Sequence, residues 1–251
     1  MKVAIITGAS GGLGKALAKS LSETGEALEF WLLGRDKEKL ENTAQKLGTK
    51  VRFLTLDLAD ASWEQTMQHI LQSEKPQIAW LINNAGFGYF GNFSEEPRGH
   101  AGRMADVDFA APIRLCALCL PYMAAGSHIV NVCSVAGFLP LPQMAVYSGA
   151  KAGLLHFTQA LAAELKPNGI SVTALCPYWI GDTGFIPSLG TKPHLNLWGT
   201  LPAEEVARRG ILGARKGETI VTPGWLATIC RIGTSLLPLP VLLKIRDIWK
   251  A

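Results

Sequence analysis

The stretch Lys2-Val3-Ala4-Ile5-Ile6-Thr7-Gly8-Ala9-Ser10-Gly11-Gly12-Leu13-Gly14-Lys15-Ala16-Leu17-Ala18 decides the fold. Its first third is an unbroken apolar run, the pattern of a strand buried on both faces. Its last third has helical period, and glycines join the two. A strand that enters a helix through so tight a turn opens a βα unit. The glycines permit the turn and leave the positive end of the helix open to a pyrophosphate. Their spacing, Gly8, Gly12 and Gly14, departs from the Gly-x-Gly-x-x-Gly pattern. Taken alone, the turn reads equally well as a nucleotide site or a plain strand-to-helix bend.

Further apolar runs follow at 28–33, 51–56, 78–83, 128–133, 170–176 and 219–222, most of them separated by segments of helical period. Seven strands in alternation with helices imply right-handed crossovers and an α/β fold, a parallel sheet covered on both faces. Ligands of such sheets bind at the carboxyl ends of the strands. The 251 residues fit one domain, 1–251, and the 48% hydrophobic content is ample for a continuous core. A net charge of +4, without basic runs interleaved with aromatics, excludes a nucleic-acid surface. The start lacks a signal-peptide core, and five cysteines without disulfide spacing suit reduced thiols, so a cytoplasmic location is expected. Cys116-x-x-Cys119 lies in an apolar helical stretch and reads as packing, and the five histidines show no ligand spacing, so no metal is expected. The segment 177–202, rich in Gly, Pro and aromatics, is expected to be a substrate lid.

Tyr147 and Lys151 stand four apart in Tyr-Ser-Gly-Ala-Lys, one above the other on a helix. The ammonium is expected to make the phenol more acidic, tuning it for proton exchange with an alcohol or ketone oxygen. Ser134 ends the strand at 128–133, where its hydroxyl can hold the same oxygen.

Together these features resemble the short-chain dehydrogenase/reductase family over nearly the whole chain. Its glycine-rich turn is matched by Gly8, Gly12 and Gly14, its Asn-Asn-Ala-Gly by Asn83-Asn84-Ala85-Gly86, and its catalytic residues by Ser134, Tyr147 and Lys151. The resemblance implies a Rossmann-like doubly wound fold that holds a nicotinamide cofactor and passes hydride between its ring and a carbonyl carbon. Tyr147 is then the proton donor, Ser134 the anchor of the substrate oxygen, and Lys151 the tuner of Tyr147 and holder of the nicotinamide ribose. The same likeness assigns Gly8, Ser10, Gly11, Gly12, Leu13, Gly14, Arg35, Asp57, Leu58, Asn84, Ala85, Gly86, Pro177 and Ile180 to the cofactor. Asp57 would contact the adenine edge; the alternative is a helix cap.

Two departures from the family pattern stand out. An Asn usual in the helix after the fourth strand, whose backbone supports a water leading to the lysine, is replaced by Asp108, which would complete the catalytic set. After the sixth strand Pro-Gly becomes Pro177-Tyr178, the following threonine is displaced to Thr183, and Tyr178 and Trp179 are expected to narrow the substrate entrance. Cofactor choice is read at the end of the second strand, where Gly34 takes the acidic position and Arg35 follows. An acidic side chain there would bond the ribose 2′-hydroxyl, whereas an arginine suits a 2′-phosphate. NADP(H) is therefore expected over NAD(H), unless Arg35 is a solvated loop residue and Asp36 a helix cap.

Phe87, Tyr89, Phe90 and Phe93 after one loop, and Phe138, Leu139 and Leu141 after the other, favour a small apolar carbonyl compound or alcohol as substrate. The expectation is a reversible ketone or aldehyde reductase. Alternatives are a non-catalytic NADP(H)-binding redox regulator and an epimerase or dehydratase of the same family. The apolar and basic tail 223–251 is too interrupted to span a membrane; it packs, joins subunits, covers the substrate cleft of its own or a partner subunit, or rests weakly on a membrane surface. The family likeness implies a homodimer or homotetramer through helices near 99–125 and 147–168.

Overall fold

A computed structural model describes residues 2–185, 199–238 and 240–241. Seven strands form one parallel sheet in the order β3-β2-β1-β4-β5-β6-β7. They are β1 (Lys2–Thr7), β2 (Glu29–Gly34), β3 (Val51–Thr55), β4 (Gln77–Asn83), β5 (His128–Val132), β6 (Ser171–Leu175) and β7 (Ile220–Val221). The helices are α1 (Gly12–Ser22), α2 (Lys37–Ala44), α3 (Ser62–Glu74), α4 (His100–Ala105), α5 (Ala111–Cys119), α6 (Ala145–Leu165), α7 (Ala203–Arg215) and α8 (Trp225–Leu236). The Rossmann-like doubly wound reading holds, and the strands lie where the apolar runs placed them.

Alternation within the strands divides the core into two layers. Ala4 and Ile6 of β1, with Phe30 and Leu32 of β2, pack under α1 and α7. Val3, Ile5, Trp31 and Leu33 point to the opposite face, against Trp63 and Met67 of α3 and Leu115 of α5. Cys116 and Cys119 sit buried in that second layer, and burial pushes the Cys116 thiol up to about 12. They serve packing, as the sequence suggested.

The long helix expected near 99–125 is divided. Between α4 and α5 the chain widens into a π turn, Asp106–Ala110. Pro112, at the start of α5, has no N–H to offer the Asp108 carbonyl four residues back, so the regular ladder cannot run through this point. Asp108 is fully buried inside the turn.

A hydrogen-bonded chain crosses the second layer. Asn83 Nδ2 donates to Asn131 Oδ1 (2.8 Å), Asn131 Nδ2 to Thr158 Oγ1 (2.9 Å), and Thr158 to the Leu154 carbonyl (2.6 Å). It locks β4, β5 and α6 in one register. A buried donor left without its acceptor costs about 1–3 kcal/mol. Thr158→Val is therefore expected to destabilise the protein by about that amount, read as a lower urea midpoint at unchanged slope.

Candidate active site

At the carboxyl edge of the sheet β1 and β4 diverge, and side chains satisfy their terminal amides. Thr7 Oγ1 accepts the N–H groups of Asn84 and Ala85, both at 2.9 Å, while Asn84 Nδ2 donates to the carbonyls of Thr7 (2.9 Å) and Gly8 (3.1 Å). Gly8 has φ +63°, and a Cβ on Gly14 would come within 2.2 Å of the Gly8 carbonyl oxygen. Only glycine fits at Gly14, and the turn stays flat against the start of α1. The first amides of that helix face a cleft of about 860 Å³. A turn without side chains beneath open helix amides suits a pyrophosphate, so these residues fit a dinucleotide.

Every residue the sequence assigned to the cofactor, from Gly8 to Ile180, lines this one cleft, together with Ser134, Tyr147, Lys151 and Asp108. Arg35 faces it at the end of β2. Neighbouring Asp36 is committed elsewhere: it caps α2 by accepting from the Lys39 N–H (3.1 Å) and pairs with the Lys39 ammonium (2.9 Å). Asp57 caps no helix. It accepts from the Ala59 N–H (3.0 Å) and pairs with Arg103 Nη2 (2.9 Å), a residue of α4 that also lines the cleft. Arg103 escaped the sequence reading, because one arginine on a short helix carries no motif.

The chemical centre lies where β5 ends and α6 begins. Ser134 continues β5 in extended geometry, and its hydroxyl accepts from the Ala136 N–H (3.2 Å). Its hydroxyl also lies near enough to the Tyr147 phenol to favour the charged form of that phenol. Lys151, one turn along α6, donates to the Val132 carbonyl (2.9 Å), and its Nζ is 3.0 Å from Asp108 Oδ1 and 5.6 Å from the centre of the Tyr147 ring. Asp108 Oδ2 accepts from the Phe87 N–H (3.1 Å). The lysine is thus met by a carboxylate directly.

These charges correct one expectation. The Tyr147 phenol lies above its ordinary value, not below it: burial raises it most, the Asp108 charge adds to that, and Lys151 and the Ser134 hydroxyl only partly offset them. Lys151 also stands above its ordinary value, because Asp108 and Tyr147 outweigh the burial that opposes its charge. Burial pushes the Asp108 carboxyl up against the pull of Lys151 and the Phe87 amide. Nζ and Oδ1, 3.0 Å apart, form a buried ion pair.

The substrate side is apolar, though its residues differ in part from those expected. Phe87, Phe90, Leu139 and Leu141 line the cleft. Phe93 is 67% exposed and Phe138 packs beside Leu154 and Leu155, so neither contributes. Tyr89 packs edge-on against His100. Tyr178 and Trp179, expected at the substrate entrance, line the cleft, and Phe185 joins the aromatic wall with its ring centre 5.5 Å from that of Tyr147. Leu226, Ile229 and Leu237 close the wall from α8 and the residue after it. The tail's alternative of covering its own cleft is met by these three residues, which no local motif singled out in the sequence.

Of the expected lid at 177–202, residues 186–198 lie outside the described residues. Its two ends are pinned together. Ile180 and Leu201 form a parallel bridge, and Asp182 Oδ1 accepts from the Ala203 N–H (2.8 Å) at the start of α7. Thr183 rests against Gly12, which brings this segment to the glycine-rich turn. Among the described residues no group of three or more His, Cys, Asp or Glu is placed to hold a metal ion, and no helix is long and apolar enough to cross a membrane.

Comparison with known proteins agrees with this geometry. A short-chain dehydrogenase of Sphingobium yanoikuyae, solved in complex with NADPH, superposes with a TM-score of 0.79 at 30% identity, covering 89% of this chain and 88% of its own. The bulky-bulky ketone specific alcohol dehydrogenase of Comamonas testosteroni superposes with a TM-score of 0.75 at 26% identity, covering 95% of each chain. The 3-ketodihydrosphingosine reductase of Bacteroides thetaiotaomicron is 33% identical over 189 residues, 73% of this chain and 65% of its own. The family model of the short chain dehydrogenases matches residues 2–192. With its glycine-rich turn, its Asn84 clamp and its Ser, Tyr and Lys on one cleft, this oxidoreductase belongs to the short chain dehydrogenase family.

Proposed function

We propose that the protein is an NADP(H)-preferring reductase of apolar ketones or aldehydes that also runs in the direction of alcohol oxidation. The observation that carries this is the convergence of Ser134, Tyr147 and Lys151 on a cleft with an open dinucleotide floor at one end and an aromatic wall at the other. The bound cofactor would supply or take up the hydride. This chain's residues do the rest. The Ser134 hydroxyl and the Tyr147 phenol would both hydrogen-bond the substrate oxygen. The phenol would release its proton to that oxygen as negative charge develops there. Lys151 has three N–H donors, and one meets the Val132 carbonyl while the ammonium lies against Asp108. The remaining capacity would hold the nicotinamide ribose. Phe87, Phe90, Trp179 and Phe185 would exclude water and accept an apolar substituent. Two of the similar proteins named above are named for ketone substrates, which supports this substrate class.

Preference for NADP(H) is supported by the arrangement at the end of β2. Arg35 faces the cleft, while the adjacent carboxylate of Asp36 is spent on capping α2 and pairing with Lys39. A free carboxylate to bond a 2′-hydroxyl is therefore missing from that strand end, and a guanidinium is present for a 2′-phosphate.

The apolar residues Ile232 and Leu236, four apart on one side of α8, stand 52% and 75% exposed. We infer that this side contributes to a subunit contact in a dimer or tetramer, with contact to a membrane surface as the weaker reading. Size-exclusion chromatography with light scattering, beside flotation on liposomes, separates the two: a dimer or larger that stays in solution supports the first.

Tyr147→Phe is expected to lower turnover by at least about 10²–10⁴-fold while NADPH binding, followed by fluorescence, is retained. Near-normal turnover of that variant would refute the role given to the phenol. Arg35→Ala is expected to weaken NADPH by about tenfold or more, since a charge-assisted hydrogen bond contributes roughly 1.5–3 kcal/mol, and to leave NADH affinity nearly unchanged. Equal weakening of both would remove the basis for the preference.

A further inference from the structure

The carboxylate of Asp108 has no solvent exposure, yet it faces an equally buried ammonium in the middle of the chemical centre. Its position is tightly specified. The π turn carries it inward, the Phe87 N–H holds Oδ2, and a Cβ on Gly86 would stand 2.5 Å from Oδ1, so only a glycine at Gly86 leaves room for it. Lys151 is fixed from the other side by the Val132 carbonyl. A carboxylate so enclosed does more than fill space. It compensates the ammonium that would otherwise draw a proton off the neighbouring phenol.

We propose that Asp108 is a positioning residue that anchors the Lys151 ammonium directly and, by balancing its charge, moves the proton transfer of Tyr147 toward alkaline pH. The inference rests on the reading of Tyr147 as the proton donor and concerns the pH range in which it works.

Among the described residues the groups that face Tyr147 are few. From its own helix comes Lys151, from the π turn Asp108, and from the end of β5 the buried thiol of Cys133; Cys176, at the end of β6, senses Lys151 instead. The ionisable side chains of α4 are engaged elsewhere, His100 with Glu96 (3.0 Å) and Arg103 with Asp57 (2.9 Å). Burial pushes the Cys176 thiol well above its ordinary value. Among the described residues the balance at the phenol is thus set chiefly by one cation and one anion. Asp108 raises the Tyr147 pKa and Lys151 lowers it, so removing the anion alone leaves the cation to act.

Asp108→Asn keeps the shape and the acceptor for the Phe87 N–H while deleting the charge. Two readings test it. The first is the pH profile of kcat/KM for ketone reduction, which needs the protonated phenol and so falls on its alkaline side. The second is the ultraviolet phenolate titration of the cofactor-free protein, with the Tyr147 component taken as the difference from Tyr147→Phe. In Asp108→Asn both are expected to move to lower pH by on the order of one unit. Asp108→Ser, which also removes the charge, is expected to move them the same way and serves if the first variant does not fold. Midpoints that stay in place in the folded variants overturn the proposal. If the native protein reduces no carbonyl compound, the functional reading fails, but the phenolate titration still decides the inference about Asp108.

Discussion

Parallel strands that send their crossovers in opposite directions must part, and where they part their last amides lose the partners a sheet would provide. Between β1 and β4 that loss is made good by Thr7 and Asn84. One hydroxyl accepts two amides, and one carboxamide donates to two carbonyls. The cleft exists because these bonds hold it open without filling it. Everything placed around it depends on that gap: the flat glycine turn on one lip, the Gly86 loop on the other, and the start of α1 aimed between them.

The second requirement is to keep charge inside an apolar protein. Lys151 and Asp108 are both withdrawn from water, and either alone would be costly in such a place. Together with a carbonyl from β5 and an amide from Phe87 they form a compensated unit. Because the unit joins four separate segments, it also ties the π turn to α6 at the point where the phenol emerges.

Much of this was legible in the chain. Apolar runs of four to seven residues give buried strands directly, and the seven appear where expected. Gly8, Asn84, Ser134, Tyr147 and Lys151 each sit in a short local pattern, and the fold brings these patterns together. What escaped the reading depends on long-range geometry. The sign of the Tyr147 shift could not be read from a helical spacing, since burial and a carboxylate from a distant segment outweigh the neighbouring lysine. The break in the α4–α5 run follows from Pro112, a residue that is also common at ordinary helix starts. Phe93 and Phe138 have the same composition signal as Phe87 and Phe90, and only packing separates those that face the cleft from those that do not.

The pinning of Ile180 to Leu201, with Asp182 capping α7, has a consequence for how such an enzyme can change. The chain leaves and rejoins the framework at nearly one place, so the length and content of what lies between are uncoupled from the sheet. A change of length between these two anchors is not passed on to β6 or α7, so the floor of the cleft and the site around Tyr147 are held apart from it.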